Sequence, residues 1–174
     1  MRKRLLLLLC CLSISLAYTQ NIFLGGKLED YTGTWRYENK DSNLVFTIKL
    51  KKSKMELLGK VYDCAIGTYS LVKNGITITD NMDKFNSLSE PYGSPIRIVD
   101  YNQIYATLRL SFNDELYKKH TASGTLSLIP LKNGKFNLHW ILKEDEGDYV
   151  YDWNEVIPPD GFSVPDNAVL VKIE

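Results

Sequence analysis

The residues able to do chemistry are few and scattered. His120 and His139 are the only histidines, the side chains best suited to acid–base work or metal binding near neutral pH. His120 follows Lys118 and Lys119 in a polar stretch, and His139 alternates with Leu138 and Trp140, so both are read as outward-facing surface residues. No Gly-x-Ser-x-Gly elbow, His-Glu-x-x-His helix or Cys-x-x-Cys pair occurs. No catalytic residue, metal ligand or cofactor-binding residue is therefore assigned, and a hydrolase is the least supported function class. Cys64 has Val61, Ala65 and Ile66 as neighbours, which favours a buried and inert thiol over a reactive one.

Three further clusters bear on binding. Glu144-Asp145-Glu146-Gly147-Asp148, with Asp152 and Glu155 beyond, has a glycine where a calcium loop turns. It lacks ligands at alternate positions ending in a distant Glu, so it reads as a solvated hairpin. Tyr149, Tyr151 and Trp153 fall on one face of a short strand. They would stack on a sugar or a partner if exposed, or pack on Phe136 or Trp140 if buried. Lys49, Lys51, Lys52 and Lys54 read as a basic strip guarding a strand edge or hairpin tip.

The elements that position these residues begin after a leader. Arg2, Lys3 and Arg4 precede an apolar run of 12 residues, Leu5 to Leu16, too short to span a bilayer. Ser15-Leu16-Ala17 supplies the small residues of a cleavage site, so residues 1–20 read as a signal peptide cut after Ala17 or Gln20. Export to the periplasm or beyond is the implied location. Taking the three leader bases from the 21 Lys and Arg leaves 18 against 21 Asp and Glu, a net of −3. That balance argues against nucleic acid as a partner. Of three cysteines only Cys64 remains, so no internal disulfide forms and the apolar core must hold the fold. No second apolar run is long enough for a transmembrane helix.

From Gly33 onward the pattern has period two. Leu44, Phe46, Ile48 and Leu50 share one face; so do Ile104, Ala106, Leu108, Leu110 and Phe112, and again Phe136, Leu138, Trp140 and Leu142. Asn74-Gly75 and Asn133-Gly134 mark hairpins. Leu28 to Tyr31 makes one helical turn before the first strand, and Lys52-Ser53-Lys54 reads as a polar turn. Asn81 to Pro95 reads as a long surface loop with a helical turn near Met82 to Phe85. Asn113 to His120 reads as a connection, with the next strand starting at Gly124. The sum is an all-β fold over residues 21–174, a single antiparallel barrel of about eight to ten strands, with a β-sandwich as the alternative.

Gly33-Thr34-Trp35 resembles the opening motif of the lipocalin and calycin barrels. With the leader, the Lys-rich second strand and the Asn-Gly hairpin, the chain is similar to small exported bacterial lipocalin-like barrel proteins of an uncharacterised family. The resemblance implies that Trp35 closes the barrel floor and that a basic residue late in the barrel packs on it. Lys172 is the nearest match, with Arg109 as a rival. It also implies a non-catalytic role without a cofactor. Two readings stand open. In one, a small apolar ligand sits in the barrel, lined by Trp35, Phe46, Ile48, Leu108, Leu110, Leu138 and Trp140. In the other these bulky residues fill the interior, and the surface contacts a protein or glycan through the 81–95 loop and Tyr149, Tyr151 and Trp153.

Overall fold

Alternating apolar residues demand a sheet with one buried face, and the computed structural model, which describes residues 27–99, 107–145 and 159–174, supplies it by closing the sheet on itself. One helical turn, α1 (Leu28–Tyr31), leads into β1 (Gly33–Asn39), β2 (Leu44–Leu57), β3 (Lys60–Lys73), β4 (Ile76–Asp80), β5 (Ile96–Val99), β6 (Thr107–Asp114), β7 (Lys119–Pro130), β8 (Phe136–Ile141) and β9 (Asn167–Lys172). Eight of these strands form a closed antiparallel ring in the order β1, β2, β3, β5, β6, β7, β8, β9, and β4 is an extra strand on the edge of β3. The closure rules for the barrel and against the sandwich. Among the described residues no helix is long and apolar enough to cross a membrane.

The joint between β9 and β1 is narrow. Its register pairs Trp35 with Lys172 and Arg36 with Val171. Two bonds beyond the ladder extend it: Thr34 N–H donates to the Glu174 carbonyl (3.1 Å) and Ile173 N–H to the Thr34 carbonyl (2.9 Å). Asn74-Gly75 turns as expected, with φ of 53° and 75°.

Three sequence expectations are corrected. Lys52-Ser53-Lys54 is not a turn, because β2 and β3 run unbroken for 14 residues each and pair from Leu44 with Lys73 to Leu57 with Lys60. The reversal falls at Leu58-Gly59, whose φ of 53° and 71° suits a two-residue hairpin turn. The four lysines therefore do not form one strip. Lys49 and Lys51 lie 4.8 and 5.1 Å from the centre of the Phe85 ring, whereas Lys52, on the opposite face, pairs with Glu29 (2.6 Å) and Asp63 (3.4 Å). Lastly, β7 begins at Lys119 rather than Gly124. A bulge sets Ala122 and Ser123 against Ser111, and the register jumps from Leu110–Gly124 to Phe112–Thr121. Inward residues change from odd to even numbers at that point, which hides the strand's start from an alternation count.

The 81–95 segment connects β4 to β5 with the expected helical turn, and it is packed down as a strap. It carries a 3-10 turn, Met82–Ser87, and lies across the outer face of the β2–β3 hairpin. Leu88 packs on buried Met55, Cys64 and Ile66, a small second core outside the barrel. Lys51 Nζ donates to the Phe85 carbonyl (2.9 Å), and Ser94 Oγ both accepts from Gly67 N–H (3.1 Å) and donates at the Gly67 carbonyl (2.9 Å).

Candidate functional site

The interior was the first candidate. Trp35, Phe46, Ile48, Leu108, Leu110, Leu138 and Trp140 are all buried and belong to one cluster. Phe46, Tyr69, Phe112 and Trp140, from β2, β3, β6 and β8, form a closed cycle of ring contacts. Centroid distances are 5.3 Å for Phe46–Trp140, 5.4 Å for Trp140–Phe112, 5.1 Å for Phe112–Tyr69 and 6.4 Å for Tyr69–Phe46. All four rings are fully buried. Rings reach in from four strands, the two Trp140 contacts edge to face and the two Tyr69 contacts tilted, and together they fill the barrel at this level. Each such pair stabilises by about 1 kcal/mol beyond its area burial. Burial raises the Tyr69 hydroxyl pKa to about 12, only partly offset by the Glu115 N–H that it accepts.

Trp35 of β1 is fully buried in the same core cluster. Its indole N–H donates to the Tyr31 carbonyl of α1 (2.8 Å), and Lys172 Nζ lies 5.1 Å from its ring centre. Lys172 thus takes the place that the lipocalin resemblance gave to a late basic residue; Arg109 is on the outer face of β6. Gly33 has a φ of 115°, and a Cβ there would strike the Glu174 carbonyl and come within 2.8 Å of Lys172 Cε. The glycine and the tryptophan of the motif both answer to the same last strand.

Tyr149, Tyr151 and Trp153 lie outside the described residues, as do residues 146–148, Asp152 and Glu155 of the acidic run. The Glu144 carboxyl is lowered from its ordinary value by its bond to Lys119 (2.8 Å) and also accepts from Gly161 N–H. Burial pushes the Asp145 carboxyl up, but hydrogen bonds from Ser123, Ala122 and Thr121 outweigh it and leave the pKa lowered. Asp145 thereby satisfies the bulge in β7. Cys64 is buried and its thiol is pushed up by that burial. His139 bonds to Asn167 Oδ1 across the β8–β9 pair (3.0 Å).

A site not foreseen from sequence lies on the outer face, where the end of the strap meets β5, β6 and β7. It is an open groove of about 280 Å³ lined by Pro91, Tyr92, Gly93, Ser94, Arg97, Ser111, Asn113 and His120. The Arg97 guanidinium lies over the Tyr92 ring (5.4 Å) and donates to Ser111 Oγ (3.3 Å), which also bonds His120 Nε2 (2.9 Å). The β5–β6 register sets Arg97 opposite Ser111, and the β7 bulge brings His120 beside them. A larger cleft of about 410 Å³ lies by the β1–β2 and β3–β4 turns, but it is walled by hairpin tips such as Lys40, Asn43, Asn74 and Gly75.

Residues 1–173 match the family of unknown function DUF6705. The chain belongs to that family. No curated protein and no solved structure matches it. For this DUF6705 barrel the sequence did carry one signal of the groove: Arg97 is the single charged residue of the strand Ile96–Val99. Ser111 and His120 had none, because their meeting depends on strand register.

Proposed function

We propose that this DUF6705 chain is an exported, non-catalytic barrel that binds through its outer surface rather than by carrying a small apolar ligand inside. The observation that carries this reading is the cycle of Phe46, Tyr69, Phe112 and Trp140, which occupies the space a carried molecule would need. A partner protein or glycan would then meet the strap and the groove beside it. The Ser111–His120 contact is read as part of recognition rather than as a nucleophile and its base, because Arg97 engages the same oxygen. Export is supported by the basic and apolar opening of the chain, with a small-residue site at Ala17.

Native mass spectrometry of the protein purified from its own host tests both parts. The expected mass is that of the chain lacking its first 17 or 20 residues, with nothing apolar attached. A bound lipid or other apolar small molecule, released on denaturation, would overturn the surface reading; an uncut leader would overturn export.

A further inference from the structure

We propose that the Arg97 groove is a subsite for a compact oxyanion, a carboxylate, sulfate or phosphate borne by the ligand. This assignment rests on the outer-surface reading above. Arg97 is half-buried, and among the described residues no carboxylate lies within ion-pair distance of it. A guanidinium gives up part of its hydration when half-buried, and a planar fork of donors is the group best matched to a carboxylate or phosphate. This one is held in place before any ligand arrives, by the Tyr92 ring and by one hydrogen bond to Ser111. Its other N–H groups have no partner among the described residues. Preorganisation of that kind lowers the ordering cost of binding.

The neighbours add donors. When His120 Nε2 carries a proton, His120 and Arg97 both donate to Ser111 Oγ, and the hydroxyl proton is left to point at an incoming anion. The Asn113 side-chain amide lines the same groove and makes no hydrogen bond among the described residues. Ser94 does not take part, since its hydroxyl is committed to Gly67 and to the Ile96 carbonyl. Asp145 interacts electrostatically with His120, and its carboxylate is held by the Ala122 amide of the β7 bulge. The site is therefore a cationic spot on a chain whose overall balance after leader removal is acidic.

The test is an amide NMR titration of the purified full-length protein with galacturonate, inorganic phosphate and, as the neutral control, galactose. Both anions should shift the amides of Arg97, Ser111, Asn113 and His120 with millimolar saturation and compete with each other, and galactose should not. Either order of the two affinities supports the subsite and shows which oxyanion it prefers. Arg97→Gln should weaken both by about tenfold or more, Arg97→Lys by less, and Lys49→Gln on the strap side not at all. No saturable shift with either anion, an equal shift with galactose, or undiminished binding by Arg97→Gln would overturn the assignment. If the anions fail while the purified barrel is empty, the oxyanion subsite falls and the surface reading stands. A lipid inside the barrel defeats the surface reading whatever the groove does.

Discussion

Lys172 Nζ lies 5.1 Å from the centre of the Trp35 ring, directly across the joint where the last strand meets the first. A cation on an indole face is worth about 0.5 to 1 kcal/mol at an exposed site, and the lysine stem covers apolar surface as well. Lys172→Ala should cost about 1 kcal/mol in urea denaturation followed by tryptophan fluorescence, and Lys172→Met about half of that. Arg109→Ala, on the exposed outer face, should change stability by less than about 0.5 kcal/mol. Equal effects at the two positions would show that the joint does not depend on Lys172.

Gly33→Ala should be more harmful than either. It puts a Cβ against the Glu174 carbonyl at a φ of 115°, which L-residues rarely adopt. A loss of about 2 to 4 kcal/mol is expected. Trimming Lys172 to Ala in the same chain should not restore it, because the backbone clash and the dihedral remain. Full rescue by the double variant would place the strain in the lysine side chain alone.

The aromatic layer predicts an alkaline weakness. Burial keeps the Tyr69 hydroxyl protonated up to about pH 12, whereas in the unfolded chain it ionises near 10. The folded state then holds a proton that the unfolded state releases. Its contribution is full below pH 10 and is lost as pH rises toward 12, by about 2 to 3 kcal/mol. Tyr69→Phe should flatten the stability curve over that window by a similar amount. Parallel curves for the two proteins would contradict this.

Asp114 ties two distant segments together. It is fully buried, and its Oδ1 accepts from the Leu116 and Tyr117 amides and from Ser163 Oγ, while Oδ2 accepts from the Ser163 amide (2.6 Å). Asp114→Ala strands four donors and should cost about 3 kcal/mol or more. Asp114→Asn should lie between it and the parent, since its NH₂ would face the Ser163 N–H. Thermal unfolding orders the three proteins.

Much of the fold was legible because period two survives wherever a strand keeps one face inward. Ile96 to Val99, the Asn74-Gly75 turn and the inward run Leu44, Phe46, Ile48, Leu50 could all be read directly. The β2–β3 turn could not, because Leu58-Gly59 lacks the Asn or Asp that marks such a hairpin and Lys52-Ser53-Lys54 is the more polar stretch. The start of β7 was hidden by its bulge. The groove was hidden for a related reason: Arg97, Ser111 and His120 are brought together by pairing between strands, and no local pattern records which residues a register will place side by side. Lys172 was legible only through the resemblance attached to Gly33-Thr34-Trp35.

Binding through the outer surface requires that the barrel interior be full. The most direct measurement is a titration with a neutral fluorescent naphthylamine, reading probe enhancement and tryptophan quenching together. The parent protein should show no saturable binding, whereas Phe112→Ala, which removes one ring of the closed cycle, should open a cavity and bind. Saturable one-to-one binding by the parent protein, with quenching of its tryptophans, would contradict the account and return the barrel to the class of ligand carriers.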